Sequence, residues 1–277
     1  MTDFITNKLK RITAGLAAIM LAAFFTAGVF GCGRAPSDEN ALPVLTIASD
    51  EYQPYFYVGE SGEYAGIDVE LAVEACRRMG YKAKFVRIRW TEKDDVLARG
   101  EADCLWGSFS MTGREDKYLW AGPYMTSRQV VGVEKNSDIK TLADLAGKRV
   151  GVQMASKPDE IFSKREDIDE LYCYSDMTLV FAALRKGYVD AIAGHETAVL
   201  EFMKAGAELA DSSRFRILDE TLLSVNLGVA FARGRSDGLA EKLTAALAEM
   251  RSDGFVADVL TRYGLDPARA EIGEGTV

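Results

Sequence analysis

Apolar positions recur along this chain with two different periods, and the switches between them mark out alternating strands and helices. Val44–Ser49 (VLTIAS) reads as a short buried strand. After Gly66-Ile67-Asp68, apolar Val69, Ala72, Val73, Cys76 and Met79 fall at helical spacing, and Gly80 closes the helix. Residues 83–88 alternate with period two, as a half-buried strand does, a short helix follows over 93–99, and 102–106 form the next strand. Residues 129–134 are a further apolar strand, read as a passage between two lobes. A short turn from Leu142, stopped by Gly147, leads to a strand over 149–154. Ser156-Lys157-Pro158-Asp159 then has capping-box spacing with Pro inside the first helical turn. Helices over 177–186 and 196–204 flank another strand, and strands over 215–218 and 226–232 follow, the second a return passage. Amphipathic helices over 237–250 and 254–262 finish the pattern.

Within this alternation one motif occurs twice. Leu97 to Gly107 (LARGEADCLWG) and Leu184 to Gly194 (LRKGYVDAIAG) both fit L-x-x-G-x-x-D-x-x-x-G. Each copy ends a helix at Gly, turns an acidic corner and enters a short apolar strand. Polar residues follow both strands: Ser108, Ser110 and Arg114 after the first, His195 and Glu196 after the second. Ligands of open α/β sheets sit beyond the carboxyl ends of the strands. Two such ends predict an α/β fold of two lobes facing one cleft, each a mixed sheet flanked by helices. Residues 44–130 and 226–277 make lobe one and 131–225 lobe two, so two strands cross between them and form a natural hinge.

The N-terminus places this cleft outside the cytoplasm. Lys8, Lys10 and Arg11 precede an uncharged, mostly apolar run over 12–30, a leader of secretory type that is short for a membrane span. It ends Val29-Phe30-Gly31-Cys32, which resembles the lipobox of bacterial lipoproteins, with Phe30 bulkier than the usual small residue. That resemblance implies a signal peptide over 1–31 and lipid on Cys32, with an uncleaved signal anchor as the alternative. Residues 32–43, small, polar and Pro-containing, read as a tether.

Removing Asp3, Lys8, Lys10 and Arg11 with the leader takes the formal net charge from −9 to −11. Such an acidic chain without basic runs argues against nucleic acid and against a peripheral hold on anionic lipid, leaving membrane attachment to the anchor. Cys76, Cys104 and Cys173 remain, an odd number; a Cys76–Cys104 bridge is conceivable, and buried free thiols are the favoured reading. No C-x-x-C, H-E-x-x-H or Cys/His cluster occurs, so neither metal nor cofactor is expected.

Several motifs in order carry a family resemblance. They are Tyr52-Gln53-Pro54-Tyr55-Phe56, Gly66-Ile67-Asp68-Val69-Glu70-Leu71, Gly100-Glu101-Ala102-Asp103, Ser110-Met111-Thr112-Gly113-Arg114, Trp120-Ala121-Gly122-Pro123-Tyr124, Leu142 to Lys148 (LADLAGK) and Gly187-Tyr188-Val189-Asp190. With them the chain resembles, over 44–265, the bacterial extracellular solute-binding proteins of the polar amino-acid class, which feed ABC transporters. The resemblance implies a periplasmic-binding-protein-like fold, an amino-acid ligand, an ABC permease as partner, and a monomer without catalytic activity.

It also implies a site. Arg114 aligns with the arginine that takes the ligand carboxylate, on a loop one residue shorter than usual; an Arg fork suits a planar carboxylate. The alternative is a surface arginine paired with Glu115 or Asp116. Ser110 aligns with a hydroxyl on that carboxylate and Ser108 with a backbone contact, or Ser108 merely caps its strand. Tyr52 and Trp90 align with aromatic walls, which exclude water and can hold an ammonium, though either could be core. Trp106 and Trp120 read as core. Ser156 caps a helix whose turn completes the carboxylate pocket, with Ala155 in place of the family's glycine. Lys157 either reaches an acidic ligand group or is solvated. Relatives that bind α-amino acids place an aspartate at the end of the repeat strand; here His195 stands there, and a one-residue shift would give the role to Glu196. His195, the only histidine, could also just cap its helix. Besides a receptor, two other functions stay open: a lyase of the cyclohexadienyl-dehydratase type with Glu196 or His195 as general acid, and a sensory module acting through a separate protein.

Overall fold

The structure is a computed structural model that describes residues 42–207 and 214–272. The expected leader, the tether as far as residue 41 and Cys32 as lipid attachment site lie outside the described residues.

Lobe one starts with β1 (Val44–Ser49), a short hairpin of β2 (Tyr57–Val58) and β3 (Tyr64–Ala65), α1 (Ile67–Met79), β4 (Lys82–Arg87), α2 (Lys93–Ala98) and β5 (Cys104–Leu105). The long strand β6 (Leu119–Glu134) leads into lobe two, with β7 (Arg149–Gln153), α3 (Lys157–Phe162), β8 (Glu170–Tyr174), α4 (Met177–Arg185), β9 (Ala191–His195) and α5 (Glu196–Ala207). After β10 (Phe215–Ile217), β11 (Leu223–Phe231) returns to lobe one, where α6 (Leu239–Ser252) and α7 (Phe255–Arg262) follow.

One mixed sheet runs through both lobes in the order β4-β1-β5-β11-β6-β9-β7-β8, with β10 added on β6. β1 lies parallel to β4 and β5, and β7 parallel to β8 and β9. β11 and β6 are antiparallel to these neighbours and to each other, paired from Leu223 with Gln129 to Phe231 with Leu119. They are the two crossing strands.

The first of them is much longer than its apolar stretch over 129–134 suggests. Gly122 and Pro123 break the sequence pattern, yet the strand passes through them, and its register against β11 shifts between Leu227 and Val229. An irregularity in the ladder is where a residue without an N–H is tolerated. In contrast, pairing in β5 is confined to Cys104 and Leu105, fewer residues than the apolar run over 102–106.

The repeated motif has one physical meaning in both lobes. Gly100 and Gly187 end their helices at φ of 67° and 69°, the left-handed conformation that glycine adopts without cost. The aspartate that follows then clamps a neighbouring strand by two reciprocal bonds. In lobe one Asp103 N donates to Thr46 O at 2.8 Å while its carboxylate accepts from Thr46 N at 2.8 Å. In lobe two Asp190 N donates to Arg149 O at 2.8 Å and its carboxylate accepts from Arg149 N at 2.9 Å. Each clamp fixes where β5 or β9 begins beside β1 or β7, and so where its other end delivers the polar residues.

The main core packs α1, α6 and α7 against lobe one and continues into lobe two around Val180, Phe181 and Leu184 of α4. A second cluster fills the other face of lobe two, with Val150, Val152 and Phe162. A third, around Trp90, Phe109 and Tyr118, lies under the cleft side of lobe one. Cys76 and Cys104 are both buried free thiols, and burial pushes Cys76 up to about 12.

Because the Asp103 carboxylate satisfies a strand amide, Asp103→Ala leaves Thr46 N–H without that partner. The expected loss is about 1–3 kcal/mol, with a Tm drop of several degrees in a thermal melt.

Candidate functional site

The turn after β1 is fastened before any side chain reaches the cleft. Gly66 has φ 126°, and a Cβ there would lie 2.2 Å from Tyr55 O, so glycine alone fits between this turn and α1. Ile67 N and Asp68 N then donate to Pro54 O and Tyr55 O, each at 3.0 Å. Asp68 is buried at the start of α1, where it accepts Ser108 N–H and the Tyr124 hydroxyl, the latter at 2.9 Å. Burial pushes its carboxyl up to about 7, with both hydrogen bonds opposing. Through Asp68 the Gly-Ile-Asp motif holds the loop after β5, whose Ser108 sits at φ 45°. The other side of that loop is stitched to β11: Met111 N donates to Asn226 O at 2.8 Å and Gly228 N to Phe109 O at 3.0 Å.

These loops and strand ends of lobe two line a narrow cavity between the lobes, with a volume of about 30 Å³. Tyr52, Trp90, Ser108, Ser110, Arg114, Ser156 and His195 all line it. Arg114 is buried, its guanidinium carbon 5.0 Å from the Phe109 ring centre, and it pairs with neither Glu115 nor Asp116. Its partner comes from lobe two: Nε and Nη2 donate to Glu160 Oε1 at 2.8 and 2.6 Å. Lys157 also lines the cavity and reaches Glu160 Oε2 at 3.1 Å, so it is not a free solvated lysine. Burial pushes the Glu160 carboxyl up, and the two cations outweigh this and hold it below the usual range.

Further contacts cross the cleft. The Gln153 amide donates to Asp50, Lys93 Nζ donates to Ala155 O at 3.4 Å, and His195 N donates to the Tyr52 hydroxyl at 3.2 Å. Ser156 caps α3 as expected, accepting from Asp159 N at 3.3 Å. The Asp159 carboxylate in turn takes Ala155 N–H at 2.7 Å. With only six residues and these donors used by its own side chains, α3 offers the cavity Ser156 itself rather than an open helix end. Ser108 likewise has its N–H taken by Asp68.

His195 ends β9 facing the cavity. Its ring nitrogens lie 3.0 Å from Ser127 Oγ and 3.0 Å from Gln129 Nε2. Burial pushes the imidazole down to about 3, and the Arg114 and Arg269 charges act the same way, so it is neutral. Glu196 corrects the alternative assignment: it is absent from the cavity wall, and its carboxylate is held by Arg128 and Arg269. The cause is the change of element: β9 ends at His195 and Glu196 opens α5, whose first residue points to Arg128 and Arg269 rather than to the cavity. Burial raises its carboxyl, and the two guanidiniums outweigh that and hold it below the usual range.

Sequence reasoning missed the carboxylate that does line the cavity. Asp50 follows β1 directly, and burial pushes it up to about 6 with only partial opposition from Gln153. Gln153 is the last residue of β7 and Gln129 stands opposite His195 in the ladder. All three occupy strand ends or strand partners that the carboxyl-end rule would have picked out. Trp106 is buried away from the cavity, and Trp120 donates Nε1–H to Arg114 O at 3.0 Å, which steadies the arginine's backbone. The cavity wall therefore brings together a guanidinium at Arg114, a carboxyl group at Asp50 and the aromatic rings of Tyr52 and Trp90.

Known proteins resemble the chain over this same span. The family model of bacterial extracellular solute-binding proteins, family 3, matches residues 45–266. ABC transporter arginine-binding protein 1 of Escherichia coli (strain K12) is 25% identical over 237 residues, which cover 85% of this chain and 94% of that protein. The histidine-binding periplasmic protein of Salmonella typhimurium (strain LT2) is 29% identical over 221 residues, 76% of this chain and 84% of its own. Among solved structures, an ancestral arginine-binding protein bound to arginine superposes with a TM-score of 0.73 at 26% identity, covering 79% of this chain and 97% of that one.

Two measurements follow from this geometry. Asp50 has its folded pKa raised from 3.8 to about 6. Its contribution to stability is therefore full below about pH 4 and is lost as pH rises through 6. Melts of the wild type minus those of Asp50→Asn are expected to show that decline between pH 4 and 6, and a flat difference would reject it. Ala155 sits at φ 59°, a conformation that costs a side chain energy and glycine nothing. Ala155→Gly is expected to stabilise the protein by about 0.5–1 kcal/mol, visible as a raised Tm.

Proposed function

The chain belongs to the bacterial extracellular solute-binding proteins of family 3, and from that premise we propose that it captures a free amino acid in the cleft and presents it to an ABC permease. The observation that carries this reading is the buried Arg114 in an inter-lobe cavity whose wall also holds Asp50 and the aromatic faces of Tyr52 and Trp90. A zwitterion needs both signs of charge. Arg114 meets the carboxylate with Ser110 beside it, and Asp50, ionised above about pH 6, meets the cationic group. Neutral His195 can accept or donate a hydrogen bond but supplies no charge where relatives are expected to carry aspartate. The names of the relatives, arginine- and histidine-binding proteins, support an amino acid with a further basic group, which gives Asp50 a second positive partner.

In this reading residues 44–130 with 226–277 and residues 131–225 act as the two jaws, and β6 and β11 are the hinge. Ligand stabilises closure because it touches both jaws. Cys32 carries the lipid that keeps the receptor near its permease, and residues 32–43 give it reach. Binding rather than lyase chemistry is supported by the two groups the sequence offered as general acids. His195 is neutral and fixed by Ser127 and Gln129, and Glu196 is tied to two arginines outside the cavity.

Thermal unfolding of the purified protein against the standard amino acids, and against amines, carboxylic acids and keto acids, tests the reading. A ligand that binds only the folded state raises stability by about 4 kcal/mol at a thousandfold excess over Kd. A large Tm shift with a basic amino acid, abolished by Arg114→Ala, is expected. Shifts only with acids that lack an amine would overturn the amino-acid assignment.

A further inference from the structure

The Nε–Nη2 edge of Arg114 is the fork that reads a carboxylate in two parallel hydrogen bonds. Glu160 occupies that edge from the opposite lobe, with one oxygen on both nitrogens at 2.8 and 2.6 Å. The remaining nitrogen, Nη1, points to Ser110 O at 3.4 Å. Glu160's second oxygen is held by Lys157 at 3.1 Å, and the Lys157 amine itself lies against Gly113 of the arginine loop. The two partners differ in freedom. The Arg114 side chain is 4% exposed and the Glu160 side chain 39%.

We propose that Glu160 is a specificity-determining residue: it stands in for a ligand carboxylate on Arg114, and a ligand enters by displacing it onto Lys157. This rests on the reading that Arg114 takes the ligand carboxylate. A simple acid must give up as much as it gains, since it exchanges one carboxylate on Arg114 for another. An amino acid adds the contact of its cationic group with Asp50, so the exchange becomes favourable. Glu160 thus filters out carboxylates that lack a positive charge, without touching the bound ligand.

Calorimetric titration of wild type, Glu160→Gln, Arg114→Ala and the Arg114→Ala/Glu160→Gln double variant tests this, with L-arginine, L-histidine and pentanoate (the carbon chain of arginine with neither cationic group) as probes. Glutamine keeps the size of the side chain at a half-exposed helix position, and Glu160→Ala serves as a second variant. Removing the competitor is expected to tighten binding at least about tenfold, with the larger gain for pentanoate, and the gain is expected to vanish in the double variant. A gained affinity for any probe that wild type does not hold counts the same way. Weaker or unchanged binding of every probe by both Glu160 variants would overturn the proposal, because a simple inter-lobe clasp loses affinity when cut. Wild-type binding that survives Arg114→Ala would instead remove the carboxylate role of Arg114, a separate failure.

Discussion

Everything in the cleft is referred to one antiparallel pair of strands, β6 and β11, because each belongs to both lobes at once. Strand β11 pins the loop that carries Ser110 and Arg114, through the bonds from Met111 N and Gly228 N. Strand β6 supplies Ser127 and Gln129 to hold His195 from lobe two. The two halves of the site are thus built separately and meet over a shared backbone ladder. Rotation about these strands changes the gap between Arg114 and Glu160, or Asp50 and Gln153, while each half keeps its internal bonds. A ladder of backbone hydrogen bonds bends more readily than it slips, since a one-residue slip would turn every side chain to the wrong face.

That same alternation sorts charge around the hinge. Gln129 and His195 line the cavity, Ser127 holds the His195 ring from behind it, and all three are neutral. Arg128, one residue along β6, turns to the opposite face, where it meets Glu196 at the start of α5 and Arg269 from the C-terminal turn. A charged histidine in the buried cavity would add repulsion against Arg114 on top of its desolvation, so neutrality is the cheaper state. The ion cluster behind the hinge ties α5 of lobe two to β6 and to the segment after α7, with two guanidiniums compensating the buried Glu196 carboxylate.

The fold was legible to the extent that its determinants are local. The L-x-x-G-x-x-D-x-x-x-G repeat exposed two equivalent strand ends, since the glycine's left-handed turn and the aspartate's clamp both act within a few residues of the motif or on the adjoining strand. Ser110 and Arg114 were offered because they follow a strand end, and Tyr52 and Trp90 because the family resemblance aligned them with aromatic walls; all four line the cavity. The reading failed where one residue decides a face, as with Glu196, and where a strand runs through Gly122 and Pro123 because a partner strand accepts the irregularity. It could not reach Glu160, which is 46 residues from Arg114 and sits in another lobe. No spacing within either segment announces such a contact; only the folded sheet brings the two together.

The Arg114–Glu160 pair also shows how a cleft can keep a buried cation ready. A guanidinium taken out of water needs a compensating charge, and an uncompensated one costs several kcal/mol, on the order of 3–5 when a buried pair is broken. Placing that compensation on the same loop would make it permanent, and the arginine would be a structural residue. Here the arginine is immobilised by Phe109, the Ser110 carbonyl and the Trp120 bond to its backbone, while its counter-charge arrives on a six-residue helix of the other lobe. Opening the lobes, as the proposed function requires, would separate the pair into a water-filled cleft, where both ions are solvated at little cost. Closing them would restore low dielectric and pair the arginine again, with Glu160 as here or with a ligand carboxylate in its place. The positive charge is therefore never left both buried and alone, and that is the condition under which a closing cleft can use an arginine to choose its ligand.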